Sequence, residues 1–396
     1  MSQSILITGG GIAGPVLAYW LNRAGYKCTI VERSSIPRKT GQQVDIRGAS
    51  REIVRRMGLE AAINARTVKE EGFAIVDSSG KHLSEFPVTE GAASFTSEIE
   101  ILRGELASVF FDATKDDVEY IWGDYVTGLT EQDDGVVVQF SKAAERKFDL
   151  VVVADGMNSK TRKLVFDDED ALYHLGQYMA FFTIPMAEND TSFATWYNAP
   201  GGRLIMVRPD KERNRTGAYF GICGNDTPKD YLKLTVPEQM KMWEELFKDA
   251  GGDAERLIKG MYTCDDFYMQ QIAQVRMPQW SKGRVALVGD AGYCPSPISG
   301  LGTSCAIEGA YILAGELIKH GDYKAAFAGY EKAMRPIINK AQRLVPGGPS
   351  LANPQTSWGI SILNGIVGFI AWSGLATWFQ ARSTSEIVNL PEYDMK

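Results

Sequence analysis

Histidine is scarce in this chain: His82, His174 and His320 stand isolated from one another among 396 residues. A multi-histidine metal centre or a Ser/His/Asp triad would have to rest on a single imidazole, so each is read as a surface or internally satisfied side chain, and no metal site is expected. Cysteine is thin too. Cys28, Cys223, Cys264, Cys294 and Cys305 are odd in number and form no CxxC pair, which argues against a disulfide framework or a zinc site and fits a cytoplasmic location. Long runs of one charge sign are missing, and with a charged fraction of 23% and a net charge of −7 the composition is that of a soluble enzyme, not a nucleic-acid binder. The opening residues MSQSILITGG lack a basic n-region and a long apolar h-region, so they read as a first strand and not as a signal peptide.

The 44% hydrophobic content is enough to bury one large core or two linked ones, and two domains are the default at this length. Residues 4–8 form a short apolar run, followed by Gly9, Gly10, Gly11, Ile12, Ala13, Gly14 and a helical stretch over 15–23. In a GxGxxG turn Gly9 permits the tight bend, Gly11 lets the backbone approach a pyrophosphate and Gly14 lets the helix pack on the strand. Such spacing alone is weak, but a second strand over 27–31 ends in Glu32, 18 residues after Gly14, where a carboxylate can accept the ribose hydroxyls of an adenosine. Glu32 disfavours a 2′-phosphate, so the dinucleotide is FAD or NAD.

Two further strands end in acidic, glycine-marked turns. Residues 148–154 run into Asp155 and Gly156; residues 283–288 run into Gly289 and Asp290, then PSPISGLGTSCAIEGAYILAGEL. Asp290 can accept a sugar or ribityl hydroxyl, and the amides near Ser299, Gly300, Leu301 and Gly302 open a helix whose positive end stabilises the negative charge of a reduced flavin. Between these motifs, over 176–269, aromatic and polar residues alternate in QYMAFFTIP, SFATWYN, GRLIMVRP and TGAYFGI, the pattern of an antiparallel sheet backed by an amphipathic helix over 236–247. Phe182, Trp196, Met206, Arg208 and Tyr219 are the candidate substrate residues: a flat, partly apolar wall with one arginine suits a polycyclic phenol or enol.

In order and spacing, the three glycine-marked segments resemble the FAD motifs of the class A flavin monooxygenases, the p-hydroxybenzoate hydroxylase-like family, over residues 4–345. Within it, RKTGQQVDIRG over 38–48 and the late CPSPISGLG most resemble the tetracycline-inactivating flavin monooxygenases. The resemblance implies an α/β fold: a discontinuous Rossmann-like FAD-binding domain (1–72, 95–168 and 270–345), a substrate domain built on an antiparallel sheet (73–94 and 169–269) and a C-terminal helical segment (346–396). It implies that Glu32 and Arg33 hold the adenosine end, that Asp45 and Arg103 contact the flavin, and that Asp290 binds the ribityl or pyrophosphate portion. Asp155 and Gly156 would serve FAD and a passing NAD(P)H, and Arg38 or Arg47 would contact the nicotinamide dinucleotide. No catalytic side chain is assigned, because the cofactor carries the chemistry: hydride from NAD(P)H reduces the flavin, O2 adds, and the resulting C4a-hydroperoxide oxygenates a tetracycline- or polyketide-like substrate. The missing second GxGxxG turn fits a reductant that binds transiently. An FAD oxidase or dehydrogenase and a non-catalytic flavin-binding sensor share the same motifs. The chain is read as a monomer or weak dimer.

The competing signal is the tail. Residues 344–381 contain no Asp, Glu, Lys or Arg, and 358–379 is long enough to span a bilayer. Ser357, Ser361, Asn364, Ser373 and Thr377, with Gly359, Gly365, Gly368 and Gly374, leave it only moderately apolar, and basic flanking residues are sparse. A helix docked over the substrate domain, as the resemblance implies, is preferred to a membrane segment. Deleting residues 357–396 is expected to leave flavin bound while weakening substrate affinity or coupling; an insoluble full-length protein rescued by that deletion would support the membrane reading.

Overall fold

The protein is described here from a computed structural model that covers residues 3–37, 41–88, 99–166, 171–224, 230–345, 347–373 and 390–395. Its first layer is a six-stranded sheet ordered Ser281–Lys282, Val285–Leu287, Leu150–Val153, Ser4–Thr8, Lys27–Glu32 and Glu119–Trp122. All neighbours are parallel except the first two. The central strands are apolar throughout because both faces are covered: Ile5, Leu6, Ile7, Val151, Val152 and Val153 are fully buried. Every functional turn anticipated above follows the carboxyl end of one of these parallel strands, after Thr8, Glu32, Val153 and Leu287, where an open α/β sheet leaves its binding crevice.

The expected strand over 148–154 is two strands. Arg146–Phe148 belongs to a separate three-stranded sheet with Gly135–Phe140 and Val126–Gln132, and the chain changes sheets at Asp149. The Asp149 carboxylate accepts from the Ser4 amide at 2.6 Å and the Ser4 hydroxyl at 2.8 Å, which fixes the start of the central strand. The third expected strand shrinks to Val285–Leu287, since Gly289 takes a φ of +65° and turns directly into the short helix Asp290–Tyr293.

The second large sheet has seven strands: Tyr268–Val275, Leu172–Pro185, Arg215–Cys223, Arg203–Asp210, Phe193–Ala199, Gly72–Val76 and His82–Pro87. It is antiparallel apart from the pairing of Phe193–Ala199 with Gly72–Val76. The strand Tyr268–Val275 runs across the boundary placed at 269/270. Helices Val236–Phe247 and Ala254–Met261 cover one face, burying Trp243, Phe247, Leu257 and Met261 completely. The first of these begins with a capping box: Thr235 caps it, and Glu238 reaches back to the Thr235 amide at 2.7 Å. The other face of the sheet looks toward the flavin fold.

The terminal helix Ser357–Ser373 lies against the strands His82–Pro87 and Phe193–Ala199, at the edge of this sheet. Its partner strands cover one side only, and Trp358, Ile362, Ile366, Phe369 and Trp372 are exposed. Residues 374–379 of the apolar run fall outside the described residues; among those described, no helix is long and apolar enough to cross a membrane. Residues 390–395 return to the first domain, where the Tyr393 hydroxyl donates to Glu316 at 2.7 Å and Arg56 pairs with Glu392 at 3.0 Å.

Candidate active site

The three glycine-marked turns close on one another. A Cβ at Gly9, where φ is +102°, would lie 2.5 Å from the Ala154 carbonyl oxygen, so the first turn needs glycine in order to sit against the second. A Cβ at Gly14 would lie 2.1 Å from the Gly9 carbonyl oxygen, which is the close helix-to-turn packing that the spacing implied. Gly289 in turn lies against Ala13, whose Cβ would be 3.1 Å from a side chain placed there. The bond between the second and third motifs is Arg162. It is completely buried, and its guanidinium donates to the carbonyls of Met157 at 3.0 Å and Ala291 at 2.8 Å.

Gly11 behaves differently from its neighbours. A Cβ there meets nothing within 4 Å, so its smallness serves no internal packing and leaves backbone open above the turn for a phosphate. Glu32 accepts from the Gly10 amide and the Ser34 amide, both at 2.9 Å, which fixes its carboxylate beside the turn, with Arg33 exposed next to it. Asp155 is exposed at the mouth and accepts from the hydroxyls of Ser159 and Thr161, the latter at 3.0 Å. Gly156, at φ +90°, likewise faces open space.

The residues expected at the flavin gather around the start of the helix Gly302–His320. Gly300 adopts a φ of +64°, and positions for a Cβ at Gly300 and Gly302 lie 3.7 Å from Asp45 Oδ2 and 3.8 Å from Asp290 Oδ1. Asp45 and Asp290 therefore flank the turn at 300–302, beside Leu301. Asp45 Oδ2 is paired with Arg47 at 2.9 Å, while Oδ1 is buried with no hydrogen-bond partner among the described residues, as expected of a group that faces a bound molecule. The Arg47 amide donates to Ser304 Oγ at 3.1 Å, so this arginine is tied to the flavin turn. Arg103 has an exposed side chain, and its amide donates to the Gln42 carbonyl at 3.0 Å. Arg38 lies outside the described residues.

Above this turn the large sheet presents one aromatic rung. Trp196 pairs with Met206, Met206 with Tyr219, Tyr219 with Phe181 and Phe181 with Tyr268, all on the face opposite the covering helices. Phe181 stacks on Tyr268 with ring centroids 5.0 Å apart, and lies 5.0 Å from Tyr219. The rung is held to the flavin fold: Tyr219 Oη accepts from the Gln43 amide at 3.3 Å, and the Tyr268 hydroxyl donates to Gln42. Burial raises both phenols above their ordinary range, so both stay neutral donors at physiological pH.

Two of the expected substrate residues take other roles. Phe182 points to the helix-covered face, where it packs with Phe220 and Phe267, because the doublet Phe181–Phe182 leaves the inward residue undecided until the register is known. Arg208 shares the inward face, yet its guanidinium is engaged by Glu70, with bonds of 3.0 and 2.8 Å, and by Glu100. It is not a free cation for an ionised substrate. Sequence reasoning missed Phe181, Tyr268, Glu70 and Glu100. Period-two alternation from Tyr219 does not identify them, since their adjacency runs across strands. Among the described residues no cluster of His, Cys, Asp or Glu is placed to hold a metal.

A doubly wound sheet with three convergent anion-handling turns, and an aromatic sheet closing over them, defines a two-domain flavoprotein. The chain belongs to the family described as FAD binding domain, which matches residues 2–343. It is a flavin-dependent monooxygenase of class A type. It is 35% identical to "Monooxygenase CTB7" of Cercospora beticola over 411 residues, covering 99% of this chain and 98% of that one. It is likewise 35% identical to "FAD-dependent monooxygenase asL6" of Sarocladium schorii over 419 residues, with 99% and 98% covered. Among solved structures, the tetracycline destructase Tet(55) superposes with a TM-score of 0.81 at 33% identity, 99% of each chain being covered.

The glycines give a direct check. Gly11→Val is expected to leave the thermal melt of the apoprotein nearly unchanged and to weaken FAD binding about tenfold or more, an effect of about 1.4 kcal/mol or greater. Gly14→Val should instead lower the melt itself, because its side chain meets backbone. Equal melts for the two variants would contradict this division.

Proposed function

We propose that this monooxygenase uses NAD(P)H and O2 to insert one oxygen atom into a flat aromatic or polycyclic molecule of the phenolic polyketide or tetracycline type. The observation that supports this most strongly is the rung Trp196–Met206–Tyr219–Phe181–Tyr268, a wall of rings and one thioether whose tyrosines bond Gln42 and Gln43, close in sequence to Asp45. Such a wall gains contact area with a planar ring system and offers few groups to a small polar metabolite. The neutralised Arg208 favours a substrate that enters uncharged. The relatives named as monooxygenases support the reaction, and the neighbour named as a tetracycline destructase supports a polycyclic substrate.

FAD bound in this cradle supplies the electron transfer and the oxygen activation. The protein's own residues bind and orient. Glu32 and the turn at Gly9, Gly11 and Gly14 take the adenosine and pyrophosphate, Asp290 the ribityl chain, and Asp45 with the turn at 300–302 the pyrimidine side. The positive end of the helix Gly302–His320 favours negative charge at that side. Insertion of one oxygen atom from O2 consumes two electrons and releases water, so a two-electron donor is required. NAD(P)H meets this need as a visitor, with Arg47 and Arg38 as its candidate contacts.

The test is a screen of phenolic polyketides and tetracyclines for substrate-stimulated NADPH consumption, followed by turnover under ¹⁸O2. One labelled oxygen per product is expected. Hydrogen peroxide formed in step with substrate oxidation, without label in the product, would favour an oxidase. With a substrate in hand, Trp196→Ala should raise KM about tenfold with FAD binding intact. Phe182→Ala should act on stability instead, costing about 3–5 kcal/mol as a cavity in the helix-backed core, read as a lower melting temperature.

A further inference from the structure

We propose that Glu100, clamped together with Glu70 on the one buried Arg208, carries an exchangeable proton, and that this proton sets the charge behind Asp45 and so the ease of reducing the bound flavin. The inference rests on the flavin seat described above. Arg208 Nε and Nη2 reach the two oxygens of Glu70 at 3.0 and 2.8 Å, and Nη2 also reaches Glu100 Oε1. The three side chains are 14%, 1% and 3% exposed. One buried cation thus stands between two buried carboxyls. If both were ionised, a net negative charge would remain where no water solvates it.

The geometry singles out Glu100. Glu70 occupies the guanidinium fork with both oxygens, whereas Glu100 Oε2 is buried with no hydrogen-bond partner among the described residues. The two carboxyls share one guanidinium, so the charge of Glu70 opposes ionisation of Glu100. A third carboxylate stands opposite: Asp45 pairs with Glu100 across the ribbon formed by Gln43–Asp45 and Glu100–Leu102. Its own cation is Arg47. Tyr219, beside Arg208, donates no charge because its phenol is held neutral. Burial, Glu70 and Asp45 all push the Glu100 carboxyl upward, and Arg208 only partly offsets them. The proton resides on Glu100, while Glu70 stays in the guanidinium fork.

Asp45 connects this pair to the flavin seat, since it lies against the turn at 300–302. Two-electron reduction places negative charge on the pyrimidine side of a flavin. With the proton present, the cluster of Arg208 and the two carboxyls is neutral; without it, the cluster adds a negative charge behind Asp45 and opposes reduction. By reciprocity, reduction raises the affinity of Glu100 for its proton. The balance is two electrons from the donor to the flavin, with the flavin's own proton uptake, and up to one further proton from solvent to Glu100; no other bond is made or broken.

The test is a potentiometric titration of the FAD-loaded protein over a series of pH values, with dithionite as reductant. The wild-type potential should fall more steeply with pH than that of Glu100→Gln or Glu70→Gln, by up to one proton per two electrons. The curves should coincide at low pH and separate at high pH, with wild type lower. Infrared difference spectra of the same proteins should show a neutral carboxylic acid band at neutral pH that both Glu100→Gln and Glu70→Gln remove. Equal slopes in wild type and in both variants, or a band that neither variant removes, overturns the proposal. Protein that folds but takes up no FAD overturns the flavin seat instead, and the infrared band then decides the protonation of Glu100 by itself.

Discussion

The arrangement depends on Arg162, a guanidinium taken fully out of water whose Nη1 donates to main-chain carbonyls on both sides of the crevice. A buried charge is costly unless it is hydrogen-bonded, so this residue tolerates few alternative placements of the segments it joins. Through Met157 and Ala291 it holds the segments that follow Leu150–Val153 and Val285–Leu287 at one spacing. The first turn then closes against both by glycine contact, Gly9 against Ala154 and Gly289 against Ala13. The closest approaches in the cradle are made by backbone at Gly9, Gly14 and Gly289, where a side chain would collide.

From that cradle the second domain takes its role. Its sheet has two faces with different neighbours: one packs on the helices around Trp243 and Phe247, and the other is fastened to the loop at 41–43 by Tyr219 and Tyr268. These two tyrosine contacts, together with the bolt of Arg208 to Glu100, set how far the aromatic rung stands from the flavin turn. The aromatic rung and the carboxylates around Arg208 and Asp45 are therefore parts of one junction.

Much of the fold was legible because its signals are local. Gly9, Gly11, Gly14 and Glu32 mark a strand, turn and helix within 29 consecutive residues of the βαβ unit, spanning Ser4 to Glu32. The four strands of the insert followed from alternation, and the structure finds them at Leu172–Pro185, Phe193–Ala199, Arg203–Asp210 and Arg215–Cys223. The site was less legible. The sequence motif QYMAFFTIP contains both Phe181 and Phe182, and nothing local says which faces inward. Arg208 looked like a free cation because its partners Glu70 and Glu100 lie more than a hundred residues away in the chain.

By itself the sequence determined the class of cofactor fold, since close approach of a phosphate to backbone demands glycine and hydroxyl binding at a strand end demands an acid, whatever surrounds them. Only the tertiary structure decided which aromatic side chains form a wall and which charges cancel. Register and inter-domain packing bring together residues distant along the chain, and a side chain's partner, not its type, decides whether it meets a substrate, a core or another charge.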